Sequence, residues 1–176
     1  ENKKIIAEVI GFSGDRIILM ALDDSAGISP GAEIRLTTNP LMARISPDII
    51  GRVIDGLGNP IDGKGAIRGV DYVALNNKAP HPLKRKRIRQ PFYTGIRSID
   101  SLLTIGKGQR IGIFAGSGIG KSVLMGMIAR NCYGDVNVIA LIGERGREVR
   151  EFIEKDLGEE GLRRSIVVVV TSNESP

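Results

Sequence analysis

Several residue types are scarce in this sequence, and each scarcity argues against a class of structure or function. Cys132 is the single cysteine, so an internal disulfide is excluded and a reducing compartment is favoured. Tryptophan is absent and aromatic residues make up 4% of the chain, which argues against a base-stacking surface for single-stranded nucleic acid. The one histidine, His81, lies between two prolines and indicates neither a metal site nor a general base. No apolar run approaches the roughly 20 residues that cross a membrane, and no leading segment resembles a secretion signal, so we expect neither spanning nor secretion.

The remaining composition is that of an ordinary globular protein. Of the 176 residues, 41% are hydrophobic, enough for one core, or for one core and part of another. Charged residues make up 26% with both signs interspersed, and the formal net charge is +5. This mild basicity is only weak support for nucleic acid or anionic lipid as a partner.

Glycine is abundant, and a glycine-rich segment is the feature around which the chain is organised. Residues 115–122 fit the phosphate-binding loop pattern, with Ala115 where the strict pattern has glycine. The pattern is a small residue, four variable positions and then Gly-Lys-Ser. Three glycines let successive backbone N–H groups point into one concavity that can hold phosphate oxygens: Gly116, Gly118 and Gly120.

Two side chains at the end of this loop have the chemistry that a nucleotide site needs. Lys121 supplies a charge for the β- and γ-phosphates, and the Ser122 hydroxyl is a hard oxygen ligand for Mg²⁺. We therefore expect ATP and Mg²⁺ as ligands. The expected nucleotide contacts are Gly116, Ser117, Gly118, Ile119, Gly120, Lys121, Ser122 and Val123.

The flanking residues favour a phosphate site over an ordinary glycine-rich turn. Residues 110–114 are a short apolar run typical of a strand, and residues 123–130 have a helical composition, with Gly134 placed to end the helix. Strand, glycine loop and helix is the context that the motif requires, because the helix N-terminus adds partial positive charge to the phosphate site.

Residues 1–43 are predicted to be all-β. Short β-branched runs at 3–10, 15–22 and 32–37 alternate with turn-forming clusters. Three strands cannot bury two faces alone, so we expect part of a small barrel whose beginning precedes the first residue.

Residues 44–91 alternate apolar pieces with tight turns, and residues 76–90 are loop-like. This loop carries five cations within six positions, at Lys84, Arg85, Lys86, Arg87 and Arg89. Such a run is typical of a solvated connector, and the alternative is an electrostatic contact with a partner or with anionic lipid headgroups.

From Tyr93 onward the pattern becomes α/β. A helix is predicted at 94–103, a buried strand at 136–142, an amphipathic helix at 147–157 closed by Gly158, and a third buried strand at 165–170. Glu151 and Lys155 are predicted to pair on the polar face of that helix. Near-continuous apolar strands alternating with helices predict a parallel sheet covered on both faces.

A second group of candidate residues follows the strand at 136–142 directly. Ligands of open parallel sheets bind at the carboxyl ends of the strands, so we expect residues 143–148 to lie beside the phosphate loop. Glu144 is placed to polarise an attacking water, Arg145 to hold a γ-phosphate, and Glu148 to accept hydrogen bonds from water bound to Mg²⁺. A salt-bridged helix start, without catalytic role, is the alternative.

These segments together resemble a known family. Residues 106–122, the upstream run 94–100, the downstream run 141–149 and the stretch 51–65 are similar to the type III export ATPases. The flagellum-specific ATPase is the nearest match, the injectisome ATPases are close, and the catalytic subunits of rotary ATP synthases are more distant. Ala115 is usual in this family, and non-catalytic rotary subunits carry Gln where this chain has Glu144.

The resemblance implies a fold and a division into domains. Residues 1–43 are expected to be the remainder of an N-terminal β-barrel domain, and residues 44–176 the N-terminal part of a P-loop NTPase core with a RecA-like parallel sheet. The Mg²⁺-orienting aspartate, the interface arginine, the adenine-binding segment and the C-terminal domain of the family have no counterpart in the chain. We therefore expect these 176 residues alone to hydrolyse ATP poorly.

The resemblance also implies a function: an ATP-hydrolysing homohexameric ring that energises protein export. The expected partners are export-apparatus stator and gate proteins, export substrates and their chaperones, at the cytoplasmic base of the export apparatus beside the inner membrane. Lys121 and Ser122 match the phosphate and Mg²⁺ ligands, Glu144 the catalytic carboxylate, and Arg145 a phosphate-contacting arginine.

Three alternatives remain at this point. An injectisome ATPase shares every motif above. A hexameric RNA translocase of the termination-factor type should expose aromatic residues near its N-terminus, where residues 1–43 contain only Phe12. A non-catalytic nucleotide-binding regulator is the third, and Glu144 argues against it.

Overall fold

The computed structural model describes residues 4–37, 41–76, 78–116 and 118–173. Nine strands lie in these ranges: β1 (Ala7–Ser13), β2 (Arg16–Ala21), β3 (Met42–Ile45), β4 (Val53–Asp55), β5 (Asp71–Ala74), β6 (Pro91–Phe92), β7 (Ile105–Gly106), β8 (Asn137–Glu144) and β9 (Ser165–Thr171). The same ranges contain four α-helices: α1 (Arg97–Leu102), α2 (Lys121–Asn131), α3 (Gly146–Glu151) and α4 (Gly158–Arg163). A π-helix, Phe152–Leu157, joins α3 to α4, and 3₁₀ turns cover Pro47–Ile49 and Pro82–Lys84.

A parallel three-stranded sheet forms the centre of the α/β part, in the order β4-β9-β8. The central strand β9 is a run of β-branched residues, and its Val167 is fully buried and pairs with Val53 on one side and Ile139 on the other. Because all three strands run the same way, their carboxyl ends meet at one edge of the sheet. That edge carries Asp55, Glu144 and Thr171.

Helices cover one face of this sheet. The core is formed by Val53, Ala129, Ile139, Leu141, Val149, Phe152, Leu157, Val167 and Val169, with Ile153 and Leu162 packed against it. Gly126 allows α2 to approach the π-helix closely, since a Cβ at this position would lie 2.5 Å from the carbonyl oxygen of Asp156. The close approach fixes α2 against the segment that follows β8.

The other face of β8 is exposed in the part of the chain described. Val138 is 71% exposed and Ile142 is also exposed, so the prediction of coverage on both faces is wrong for this strand. The physical reason is that α2, α3 and α4 all contribute to the same buried cluster, on the Ile139 and Leu141 side.

The predicted strand at 110–114 does not form. These residues pair with no strand among those described, and Phe114 is 97% exposed. Apolar, β-branched composition favours an extended chain, but a strand also requires a hydrogen-bonding neighbour. The predicted strand at 32–37 is wrong for the same reason, with Ile34 and Leu36 exposed and unpaired.

The two other N-terminal strand predictions are confirmed with shifted bounds. Strands β1 and β2 form an antiparallel hairpin that turns at residues 14–15, with a register shift between Val9 and Gly11. Lys3, which the prediction included, lies outside the described residues. Phe12 and Ile17 of this hairpin are exposed, so the hairpin buries little by itself.

The helix predictions are confirmed in kind, with corrections at their ends. Helix α2 ends at Asn131, because Cys132 is extended, and Gly134 lies beyond its end. The helix predicted at 147–157 is α3 followed by the π-helix, which ends at Leu157. Gly158, with φ of 64°, interrupts the helical run but does not close it, because α4 begins at the same residue. The Glu151–Lys155 pair forms at 2.7 Å, which lowers the pKa of the glutamate and raises that of the lysine. Helix α4 and the pairing of β4 with β9 were not predicted.

A nearly buried ion pair holds the turn that follows β4. The side chains of Arg52 and Asp62 are 11% and 6% exposed, and two N–H groups of the guanidinium donate to the two carboxylate oxygens at 2.7 and 2.8 Å. The backbone N–H groups of Val53 and Lys64 donate to the same carboxylate. The hydrogen bond from Arg52 is the main cause that holds the pKa of Asp62 well below its usual range.

This ion pair generates a prediction for acid stability. The folded-state pKa of Asp62 is depressed, so its contribution is present above the unfolded pKa of about 3.9 and is lost as the pH falls below it. Asp62→Asn should lower the melting temperature at pH 7, because Arg52 is left without its carboxylate. Thermal unfolding at pH 7 and at pH 3 should show a smaller acid effect in Asp62→Asn than in the wild type. An equal acid effect in both proteins would contradict the assignment, and Asp71→Asn serves as a control on an exposed aspartate.

Candidate functional site

The glycine loop leads directly into the exposed first turn of α2. Gly118 and Gly120 have φ values of 77° and 93°, a left-handed conformation that residues with a side chain rarely adopt. Gly120 is the N-cap of α2 and, having no side chain, offers the amides of the first turn no side-chain hydrogen bond. Lys121 and Ser122 begin the helix and are exposed. Of the predicted contact residues, Ser117 lies outside the described residues.

This end of α2 has the chemistry of a phosphate site. Backbone N–H groups, the helix dipole and the Lys121 ammonium all favour an anion at the same place. The donor set also fits Mg²⁺ held jointly with a nucleotide, which needs only one or two protein oxygens, here the Ser122 hydroxyl. Within the described ranges, no group of three or more His, Cys, Asp or Glu residues is arranged to hold a metal by itself.

Glu144 lies at the carboxyl end of β8, just after a bulge in the pairing of that strand with β9. Gly143, with φ of 74°, falls at a register shift between Ile142 and Glu144, so that Glu144 pairs with Thr171. The Glu144 carbonyl accepts a hydrogen bond from the Ser172 N–H at 3.0 Å. The backbone of Glu144 is therefore fixed to the end of β9 while its side chain is half-buried. Bulges of this kind re-aim a side chain beside a ligand site.

Arg145 and Glu148 contact each other at the start of α3. The Nη1 of Arg145 lies 3.1 Å from the Oε1 of Glu148, and the two side chains are 75% and 43% exposed. Solvent screens a pair this exposed, so it adds little stability. The structure thus forms the salt-bridged helix start that was the alternative to a catalytic role. The roles of Arg145 in phosphate binding and of Glu148 in metal binding stay predictions.

A polar clamp that sequence reasoning missed holds the segment before α1. The Asp100 carboxylate accepts from the N–H and the Oγ1 of Thr94, both at 2.8 Å, and from the N–H of Gly95 at 3.0 Å. The backbone N–H of Thr94 is the largest of the causes that lower the pKa of Asp100. A Cβ on Gly95 would lie 2.4 Å from the Cβ of Asn131, at the end of α2. The corresponding feature of the sequence is a threonine six residues before an aspartate, the spacing that these hydrogen bonds span.

The basic run is exposed and its charges are unpaired. Lys84, Arg85, Lys86, Arg87 and Arg89 are all exposed, and none forms an ion pair with a carboxylate of the described part of the chain. Leu83 beside them is 91% exposed. Separately, no helix within the described ranges has both the length and the apolar character needed to cross a membrane.

Comparison with protein families matches two models of one family. The model described as "ATP synthase alpha/beta family, nucleotide-binding domain" matches residues 95–176. The model described as "ATP synthase alpha/beta family, beta-barrel domain" matches residues 1–38. The second match agrees with the all-β prediction for the N-terminal residues, and the first includes the glycine loop and Glu144.

Curated relatives carry the names of export ATPases. The chain is 57% identical over 173 residues to the flagellum-specific ATP synthase of Bacillus subtilis, covering 98% of this chain and 40% of that protein. It is 52% identical over 169 residues to the type 3 secretion system ATPase of Xanthomonas euvesicatoria, covering 96% and 38%. The chain therefore spans about two fifths of the length of these relatives.

Solved structures agree with the fold. The assembled ATPase EscN of the enteropathogenic E. coli type III secretion system matches with a TM-score of 0.85 and 40% identity, covering 99% of this chain and 42% of that one. EscN in complex with its central stalk EscO matches with a TM-score of 0.84 and 42% identity, covering 96% and 42%.

Lys121 provides the direct test of the phosphate site. Lys121→Ala should weaken ATP binding by at least about tenfold, because it removes a charge-assisted contact to phosphate oxygens. The melting temperature should not change, since the side chain is exposed and serves no core contact. Isothermal titration with ATP and Mg²⁺ measures the affinity, and Lys107→Ala, at another exposed lysine, is the matched control. Equal ATP affinity in wild type and Lys121→Ala would refute the site.

Proposed function

The chain belongs to the ATP synthase alpha/beta family, and from this we propose that the protein hydrolyses ATP at the loop that begins α2. The observation that carries the proposal is the geometry of that loop. Left-handed glycines lead into an exposed helix start whose N-cap, Gly120, offers no side-chain hydrogen bond and whose first two residues are Lys121 and Ser122. A helix start of this kind is suited to receive the phosphates of a nucleotide.

Each residue of the site has a distinct proposed role. The loop amides and Lys121 hold the β- and γ-phosphates of ATP, and the Ser122 hydroxyl holds the Mg²⁺ that accompanies the nucleotide. The metal ion supplies neutralisation of the phosphate charge. Glu148 would accept a hydrogen bond from water that accompanies the Mg²⁺, and Arg145 would leave Glu148 to contact the γ-phosphate. Because the Arg145–Glu148 pair is exposed and screened by solvent, breaking it costs little free energy.

The proposed chemical step uses Glu144 to orient water. The water oxygen forms a bond to the γ-phosphorus as the bond to the bridging oxygen of ADP breaks, and ADP and phosphate leave. The Glu144 carboxylate accepts a hydrogen bond from the attacking water and holds it in line with the breaking bond. Its attachment to the end of β9 through Thr171 and Ser172 supports this role, since orientation requires a fixed backbone.

We further propose that ATP turnover energises type III protein export, most directly in a flagellar system. The 57% identity to a flagellum-specific protein supports the flagellar assignment, and the 52% identity to a secretion-system ATPase supports the injectisome as the second candidate. Neighbouring genes distinguish the two: flagellar structural genes support the first, and needle or effector genes the second.

The proposed assembly is a homohexameric ring at the base of the export apparatus. Its support is the likeness to an assembled ATPase and to that ATPase in complex with a central stalk. Stator and gate proteins, export substrates and chaperones are the further proposed partners. Five exposed cations between Lys84 and Arg89, none of which pairs with a carboxylate of the described residues, support a peripheral contact with the anionic surface of the inner membrane from the cytoplasm.

Glu144→Gln separates binding from chemistry. The amide keeps the size of the side chain but is a poorer acceptor, so ATP affinity should stay within about threefold while kcat falls by about 10² or more. Single-turnover hydrolysis and ATP titration on the intact protein that carries this chain give the two quantities. Glu159→Gln, on an exposed glutamate of α4, is the matched control. An affinity loss as large as the rate loss would indicate that Glu144 only stabilises the start of α3.

A further inference from the structure

The C-terminal end of α2 is tied to the start of β8 by one side chain. The Nδ2 of Asn137 donates to the carbonyl of Ala129 at 2.7 Å and lies 3.3 Å from the Oγ of Ser165. The Oδ1 of Asn137 accepts from the thiol of Cys132 at 3.3 Å. One carboxamide therefore connects α2, β8 and β9, and it uses both its donor and its acceptor side.

Other contacts hold the same end of the helix. Arg164 donates to the carbonyl of Cys132 at 3.0 Å and also to the carbonyl of Gly134. The N–H of Tyr133 donates to the carbonyl of Tyr93 at 3.1 Å. At the opposite end of α2, the N-cap Gly120 offers no side-chain hydrogen bond, and Lys121 and Ser122 are exposed. The helix is thus fixed at the end remote from the candidate site.

Asn137 also lies at a defined place in the strand that leads to the site. It is the first residue of β8, and Glu144 is the last. Its partner Ala129 lies eight residues after Lys121 in α2. The two segments that present Lys121 and Glu144 are therefore joined at their remote ends by the Asn137 carboxamide.

We propose that Asn137 is a positioning residue for the ATP site, acting through α2 and β8 to set the position of Lys121 relative to Glu144. The proposal rests on the ATP-hydrolysing function proposed above. The distance along α2 from Ala129 to Lys121 is about 12 Å at 1.5 Å per residue. A tilt of about 5° at the anchor displaces the far end by about 1 Å, and a misplacement of that size can cost about 10² in rate.

A purely structural role predicts a different outcome. Buried polar groups that lose a partner destabilise a fold wherever they lie, by the cost of an unsatisfied donor or acceptor. In that case, loss of Asn137 should lower stability without changing turnover per folded molecule. Loss of Ser165, the other partner of its carboxamide, should then have the same consequences.

Asn137→Asp tests the tie with little change of shape. It keeps an acceptor for the Cys132 thiol but presents an oxygen to the Ala129 carbonyl where a donor was. We expect kcat to fall by about 10- to 100-fold, with KM and ATP affinity within about threefold. Native-state hydrogen exchange should show about tenfold lower protection of the α2 amides, with β9 unchanged. Asn137→Leu, which is uncharged, should give the same pattern and covers the case in which the aspartate does not fold.

Ser165→Ala is the matched control, because it removes a hydrogen-bonding group from the same cluster and leaves the Asn137–Ala129 contact intact. It should keep kcat within about twofold of the wild type when measured below its unfolding transition. The positioning role is overturned if both Asn137 variants keep the wild-type kcat and the wild-type hydrogen exchange of the α2 amides. It is also overturned if Ser165→Ala lowers kcat as much as the Asn137 variants do. A wild type that does not hydrolyse ATP would contradict the proposed function instead, and the exchange comparison, which needs no nucleotide, would still decide whether Asn137 anchors α2.

Discussion

The close packing of α2 against the π-helix and the sheet is the constraint on which the candidate site depends. Gly126 permits the approach, since any larger residue would meet the carbonyl of Asp156, and the buried side chains of Phe152 and Leu157 lie in the same core. With its middle and C-terminal end fixed, α2 can present its first turn to solvent with a glycine, which has no capping side chain, at its N-cap. An exposed helix start of this kind is tolerable when a ligand supplies the missing hydrogen-bond partners.

The parallel arrangement of the strands places the second group of candidate residues at one edge of the sheet. Strands β4, β9 and β8 end at one edge, and the bulge at Gly143 places Glu144 there with its backbone bonded to the end of β9. Arg145 and Glu148 pair with each other beside it and are accessible to solvent. A carboxylate on a fixed backbone suits a reaction that needs one oriented water. An exposed arginine that can leave its glutamate partner suits the stabilisation of negative charge on the phosphate that is transferred.

Sequence motifs and periodicity predicted the elements that depend on contacts between residues close together in the sequence. The glycine loop, α2, β8, β9 and the apolar face of 147–157 followed from motif and periodicity, and the Glu151–Lys155 pair followed from helical spacing. The wrong strand predictions arose because a strand also needs a hydrogen-bonded partner, which can lie far away in the sequence. Residues 32–37 and 110–114 have strand composition but no partner, whereas the three residues of β4 pair with β9 across more than a hundred positions. The hydrogen bonds of Asp100 to Thr94 and of Asn137 to Ala129 join residues only six and eight positions apart, but they form across the end of a helix, where helical or strand periodicity does not predict a pairing.

The central claim is that the loop beginning α2 receives the phosphates of ATP. Its most direct measurement is backbone amide hydrogen exchange of the intact protein, with and without Mg²⁺ and a non-hydrolysable ATP analogue at a saturating concentration. Phosphate binding at this loop should increase protection in residues 116–124, where the amides acquire phosphate oxygens as partners, and should increase it less in residues 143–148. Saturable nucleotide binding that leaves residues 116–124 unchanged would contradict it.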